Sequence, residues 1–374
     1  MTLPVPNALD VADNTGLADF RYALEERRDK VYDYLEGWPG AEQFQPADIY
    51  DGIFSYIKRR GKALRPLVLL LSCAAVGGDE DQALPAAAAV EVFHTWTLVH
   101  DDIIDRDATR RGSPTVHEHY TRHAHLAHGM SRTEAAHYGT AVAILTGDLQ
   151  QSWCYDLLGA LSERGVQPEL ILGLIRRMAG VLTPQLMEGE MLDVQFSLMP
   201  HEELSEADIV RMLTRKTGAL LEYAAWCGGI LGTGDLLDRE GHAARLARFA
   251  SLCGTAFQLQ DDLLGLTADE GLLGKPVGSD LREGKRTLIV HRALRKADAP
   301  GRDAILKVLG NQLSTSSEIS LALDMIRASG AIDDIGHLAN EYVSQALNEL
   351  TPLADSSYKT LLCEWAKFLL ARDH

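Results

Sequence analysis

From Phe20 onward, apolar residues recur at the spacing of an amphipathic helix almost without interruption. The first such run, FRYALEERRDKVYDYLEGW, stops at Pro39-Gly40, as a helix end should. Residues 47–76 predict a helix, a break at Gly61 and a second helix with Pro66 near its first turn. A long Ala-rich helix is expected to start at Pro85 and run through Trp96 to Asp105. Further long runs cover 132–162, 168–198, 205–232 and 240–266, with Ser205 and Asp208 resembling a capping box and Pro184 expected to kink its helix. A Gly-rich link over 271–286 leads to shorter helices. Period-2 alternation is scarce, so no sheet is expected and the fold class is all-α. Residues 1–17 are aperiodic and predict a loosely ordered tail; residues 18–374 predict one helical domain.

Composition changes this picture little, but charge changes it more. A hydrophobic share of 46% is ordinary for a globular chain with a sizeable core. A formal charge of −17 argues against nucleic acid as a partner. No uninterrupted apolar stretch reaches spanning length, so no stable membrane insertion is expected, and residues 1–13 lack the pattern of a secretory signal. The five scattered cysteines suit reduced core thiols in a cytoplasmic protein.

The candidate chemistry sits where apolar helices end in acids. In VFHTWTLVHDDIIDRDATRRG, Asp101 and Asp105 fall one helical turn apart on one face, with Asp102 beside them. Such acids repel one another unless a cation lies between them, and an oxygen-only set suits Mg²⁺, which keeps water and phosphate in its shell. Arg110 and Arg111 follow, and guanidinium groups bind phosphate in bidentate fashion. A second pair, Asp261 and Asp262, ends another apolar run, with Gln258 one turn before Asp261. One Asp-Asp pair on a helix is most often a solvated face; two such clusters on separate helices suggest acids opposed across a cleft, with Mg²⁺ and a diphosphate between them. Basic residues complete the set: Lys62 and Arg65 at a loop-to-helix start, Lys216 beside Thr217 in an apolar helix, and Lys275 and Lys285 in the Gly-rich link.

The segments GKALRP, FHTWTLVHDDIIDRDATRRGSPTVH, GD, RKTG, FQLQDDLLG and GKPVGSDLREGKRTL, in this order over residues 50–290, resemble the trans-isoprenyl diphosphate synthases, or polyprenyl synthetases. The resemblance implies a helical bundle around a central cavity, usually a homodimer. It implies three Mg²⁺ held by Asp101, Asp102, Asp105, Asp261 and Asp262. Arg110, Lys216 and Lys275, with Lys285 nearby, would bind the allylic diphosphate (dimethylallyl, geranyl or farnesyl). Lys62, Arg65, His94 and Arg111 would bind isopentenyl diphosphate, and Thr217 and Gln258 would flank the reacting allylic carbon. The second motif departs from the family pattern, because Gly265 stands where a third acid is usual. The expected consequence is weaker Mg²⁺ binding with activity retained, partly offset by Asp280 or Asp269; an inactive partner subunit is the minority reading.

Trp96 and Thr97 lie five and four residues before Asp101 and would form the floor of the cavity, Thr97 about 6 Å below the motif. In relatives a large residue at the former position goes with short products. Geranylgeranyl diphosphate (C20) is expected, with the C15 farnesyl and C25 geranylfarnesyl products as alternatives. Trp96 could equally be plain core. The histidines at 117, 119, 123, 125, 128 and 137 fit no standard metal spacing and read as a solvated loop. An HD-type phosphohydrolase, suggested by His100-Asp101, leaves the lysines unexplained. A class I terpene cyclase would not need GKALRP and His94.

Overall fold

The computed structural model describes residues 14–267 and 278–371, with side chains from residue 18. Seventeen α-helices account for most of these residues. The first are α1 (Asn14–Glu36), α2 (Ala47–Lys58), α3 (Leu64–Ala75) and α4 (Glu80–Ile104). Next come α5 (Val116–His128), α6 (Arg132–Gly159), α7 (Pro168–Arg177) and α8 (Thr183–Leu198). Then follow α9 (Glu206–Leu213), α10 (Ala219–Thr233), α11 (His242–Thr267) and α12 (Ser279–Glu283). The chain closes with α13 (Leu288–Lys296), α14 (Ala299–Val308), α15 (Ser316–Ala328), α16 (Ala331–Leu350) and α17 (Ser357–Leu370).

Several boundaries differ from the sequence expectation for physical reasons. Helix α4 begins at Glu80, not Pro85, because the Asp79 side chain caps it by accepting from the Asp81 N–H at 2.9 Å. Helix α1 already begins at Asn14; the tail expected over 1–17 otherwise falls outside the described residues, as do Asp269 and Lys275. The expected absence of strands fails at one point, where Thr109–Arg110 pairs antiparallel with Ser113–Pro114 in a two-residue hairpin after the first acid motif. The His-rich stretch is the helix α5, not a loop, although His119, His123, His125 and His128 are indeed exposed on it. The capping box at Ser205 and Asp208 is present, and so is an irregularity at Pro184. A π-helical turn, Met178–Leu182, precedes that proline and relaxes the helix where its ring would crowd the preceding turn.

Two hydrophobic cores share α11. One gathers α1–α4, α6, α7, α10 and the first half of α11; Ala83 and Ala86–Ala89 are fully buried in it, and their small side chains let α4 approach its neighbours closely. The other is built from α9, the second half of α11, α13–α15 and the first half of α16, whose second half joins the first core together with α17. The change-over on α11 lies between Ala256 and Leu259, so Asp261 and Asp262 emerge where the two cores meet. Four cysteines are buried and all five are free, as expected of core thiols. Among the described residues, Pro168–Leu198 is long and apolar enough to cross a membrane, by length and composition only. That same helix carries Glu188, Glu190 and Asp193 into the site described next.

Candidate active site

The end of α4 separates its three acids. Asp101 is partly exposed and Asp105, at the C-cap, is exposed, whereas Asp102 is buried. The hairpin turns the chain back so that Arg110 Nε donates to Asp102 Oδ1 at 2.6 Å, and the hydroxyl of Tyr56, on α2, donates to Oδ2. Both Asp102 carboxylate oxygens are thus engaged, one by Arg110 and the other by Tyr56. Burial pushes its pKa up, while Arg110 and Tyr56 pull it down.

Facing Asp101 is a group of residues that the sequence reading missed. Gly189 of α8 packs directly on the backbone of the 206–233 helix; a Cβ there would lie 2.3 Å from the Lys216 nitrogen. This contact brings Glu190 and Asp193 to Lys216, whose Nζ lies 2.9 Å and 2.6 Å from their carboxylates. Lys216 and Thr217 themselves sit on a π-helical turn, Thr214–Gly218, a distortion often found at functional sites. Asp101 is pushed well above the usual carboxylate range by burial first and then by Glu190, with Lys216 opposing. The missed acids had a visible signal: EGEMLD sets three carboxylates in an otherwise apolar helix.

Across from these lies the second cluster. The Thr217 hydroxyl donates to Gln258 Oε1 at 2.9 Å, so this expected pair does meet. Gln258 Nε2 then donates to Asp262 Oδ1 at 3.0 Å across an i,i+4 spacing on α11. Asp262 Oδ2 is buried without a partner, and burial, reinforced by Asp280 and Asp261, pushes its pKa up to about 7. Asp261, Asp262, Asp280, Lys216 and Lys285 line a cavity of about 180 Å³. Lys285 lies 3.7 Å from Asp280 and 3.3 Å from Glu283, and it also feels the charge of Asp105 and Asp193. Two lysine ammonium groups thus stand between the opposed acids.

The remaining basic residues gather on the other side of α4. Arg65 opens α3, and its Nη1 lies 3.3 Å from His94 Nε2. Burial and the fields of Arg65 and Arg111 depress His94, so its imidazole is neutral at pH 7. Beneath them, the buried Glu91 carboxylate accepts from the Tyr32 hydroxyl at 2.6 Å and faces both arginines. Tyr32 in turn accepts from the Gly61 N–H at 2.5 Å, fixing the loop that presents exposed Lys62. That loop holds Arg60 and Ala63 at positive φ, and Arg60 reaches Asp33 of α1 at 2.7 Å. Trp96 and Thr97 are buried on α4; Trp96 packs edge-on to Phe93 at 4.7 Å, and the Thr97 hydroxyl is occupied by the His94 carbonyl at 2.8 Å.

Among the described residues, no three His, Cys, Asp or Glu side chains converge closely enough to enclose an ion unaided. The donor set still fits Mg²⁺. Its carboxylates face one another, burial raises the pKa of Asp101 and Asp262, Asp262 Oδ2 lacks a partner, and ammonium groups already stand where positive charge is needed.

Known proteins resemble this chain in sequence and in fold. The model of the family described as Polyprenyl synthetase matches residues 47–326. A geranylgeranyl diphosphate synthase of Sulfolobus acidocaldarius is 34% identical over 312 residues, covering 83% of this chain and 86% of that one. A geranylgeranyl pyrophosphate synthetase from Pyrococcus horikoshii superposes with a TM-score of 0.81 at 32% identity, over 96% of this chain and 99% of the other. A geranylgeranyl pyrophosphate synthase from Corynebacterium glutamicum, complexed with isoprenyl diphosphate and magnesium, gives a TM-score of 0.80 at 27% identity, over 95% and 99% of the two chains.

Proposed function

The chain belongs to the polyprenyl synthetase family, and from that premise we propose that it condenses isopentenyl diphosphate with an allylic diphosphate to make geranylgeranyl diphosphate. The observation that carries this reading is the pair of opposed acid clusters bridged by Lys216 and Lys285. Asp101, Asp105, Asp261 and Asp262 would hold Mg²⁺, about three ions in all, with Asp102 fixing Arg110 instead. When bound, Mg²⁺ supplies positive charge to the departing diphosphate.

Lys216, Lys285 and Arg110, joined by Lys275, bind the allylic diphosphate and favour breaking of its C–O bond. Arg65, His94, Arg111 and Lys62 hold isopentenyl diphosphate so that its double bond faces the allylic carbon. The new C–C bond forms there, and one proton is lost, with the released diphosphate as acceptor. The hydrogen-bonded Thr217–Gln258 pair would lie beside the allylic carbon where the positive charge develops. The apolar lining contributed by residues such as Met212 and Leu213 keeps water from the cation.

Trp96, large and buried, closes the cavity at C20 length, and the small Thr97 leaves room beyond C15. The protein acts as a homodimer. Ile144, Leu145, Met187 and Met191 are 45%, 54%, 42% and 52% exposed on α6 and α8, an apolar surface suited to a second copy of the chain. Its place is the cytoplasm, consistent with five free cysteines. The test is product analysis after incubation with farnesyl diphosphate and Mg²⁺, with and without isopentenyl diphosphate. A C20 diphosphate only when both substrates are present is expected; a hydrocarbon from farnesyl diphosphate alone would indicate a cyclase and overturn the reading.

A further inference from the structure

The second acid motif has Gly265 where a third acid would stand one turn after Asp261. That space is not empty. A Cβ built on Gly265 would lie 3.1 Å from Asp280 Oδ2, a carboxylate delivered by α12. The Gly278 N–H donates to the Gly265 carbonyl at 3.4 Å, so the start of α12 is tied to this turn of α11. Asp280 lines the same cavity as Asp261 and Asp262. Its Oδ1 lies 3.7 Å from Lys285 Nζ, while Oδ2 is the oxygen turned toward Gly265.

We propose that Asp280 supplies the third carboxylate of the second acid cluster, taking the position that a side chain at residue 265 would otherwise fill. Resting on the Mg²⁺-diphosphate reading above, this assigns Asp280 a place in the cation shell, directly or through a water. Gly265 then follows from sterics and charge together: a larger residue would press on Asp280, and an acid would set two like charges in contact. The opening of the cluster is also tied to α12, so that the acid arrives with the segment carrying Lys285.

The test is a double-mutant cycle read by calorimetric titration of Mg²⁺ in the presence of inorganic diphosphate, with melting temperature in the absence of Mg²⁺ as the control for folding. Asp280→Asn should weaken Mg²⁺ binding by about tenfold, the scale of losing a supporting ligand. Gly265→Asp alone should not tighten binding and should lower the melting temperature, because its Cβ meets Asp280. The double variant, with the acid moved to α11, should recover most of the lost affinity. Unchanged Mg²⁺ affinity in Asp280→Asn, or a double variant no better than that single one, would overturn the assignment. If the unaltered protein shows no diphosphate-dependent Mg²⁺ binding at all, the reading of the site itself fails, an outcome distinct from either of these.

Discussion

Both acid clusters end long apolar helices, yet they are assembled in different ways. On α4 the acids lie within five consecutive residues, and one of them, Asp102, is withdrawn to anchor Arg110 and Tyr56. On α11 only two acids come from the helix, Gly265 leaves a gap, and Asp280 reaches into it from α12. The first cluster is thus braced by the fold around it, through α2 and the hairpin. The second is half built on α11 and half on α12, which is tied to it by the hydrogen bond from the Gly278 N–H to the Gly265 carbonyl. Three neighbouring acids in the sequence can therefore amount to two in space, and two can amount to three.

The largest effects should come from removing what the clusters share. Asp101→Ala should lower turnover by about a thousandfold, since it removes an anchor for positive charge at the reacting phosphate. Turnover near that of the unaltered protein would break the pairing of the clusters. Lys216→Met should cost about a hundredfold in kcat, because it removes a donor that contacts the developing charge and leaves Glu190 and Asp193 unopposed. A change confined to KM would mean that Lys216 binds the ground state and transition state equally.

Effects on stability and product should be smaller and should distinguish the two sides. Trp96→Ala under the first cluster should cost about 3–5 kcal/mol of stability and lengthen the product beyond C20. An unchanged product by mass spectrometry, with the stability loss present, would make Trp96 ordinary core. Tyr56→Phe removes a buried hydrogen bond to Asp102 and should cost about 1–3 kcal/mol in denaturant unfolding, with modest change in turnover. A pH dependence follows from Asp262. Its carboxyl titrates at about 7 in the native chain against 3.8 in an unfolded one, so between those values the native state holds a proton that the unfolded state has lost. The stability from that proton is fully present below pH 4 and gone above pH 7. Without Mg²⁺, the melting temperature should fall more steeply from pH 5 to 7.5 than in Asp262→Asn; equal slopes would place the Asp262 pKa in the ordinary range.

Much of this was legible in the chain because helical periodicity is a local signal and the motifs lie at helix ends. The long helices and the capping box at Ser205 follow from spacing and residue type, whereas Thr217 beside Gln258 and Arg65 beside His94 came from the family resemblance alone. What escaped depends on contacts far apart in sequence. Nothing near Asp102 indicates that Tyr56, 46 residues earlier, will occupy it. Tyr32 and Glu91 are 59 residues apart, and each alone reads as an ordinary helical residue. Glu190 and Asp193 reach Lys216 only because Gly189 permits two backbones to touch. The π turns also left no trace in the period, since one extra residue per turn shifts the apolar face too little to notice.

The most direct test of the account is to count bound Mn²⁺, a paramagnetic substitute for Mg²⁺, by electron spin resonance with saturating inorganic diphosphate. The two-cluster site predicts about three ions per chain, with fewer in both Asp101→Ala and Asp261→Ala. An Asp261→Ala variant that keeps the full count would contradict a site shared between α4 and α11.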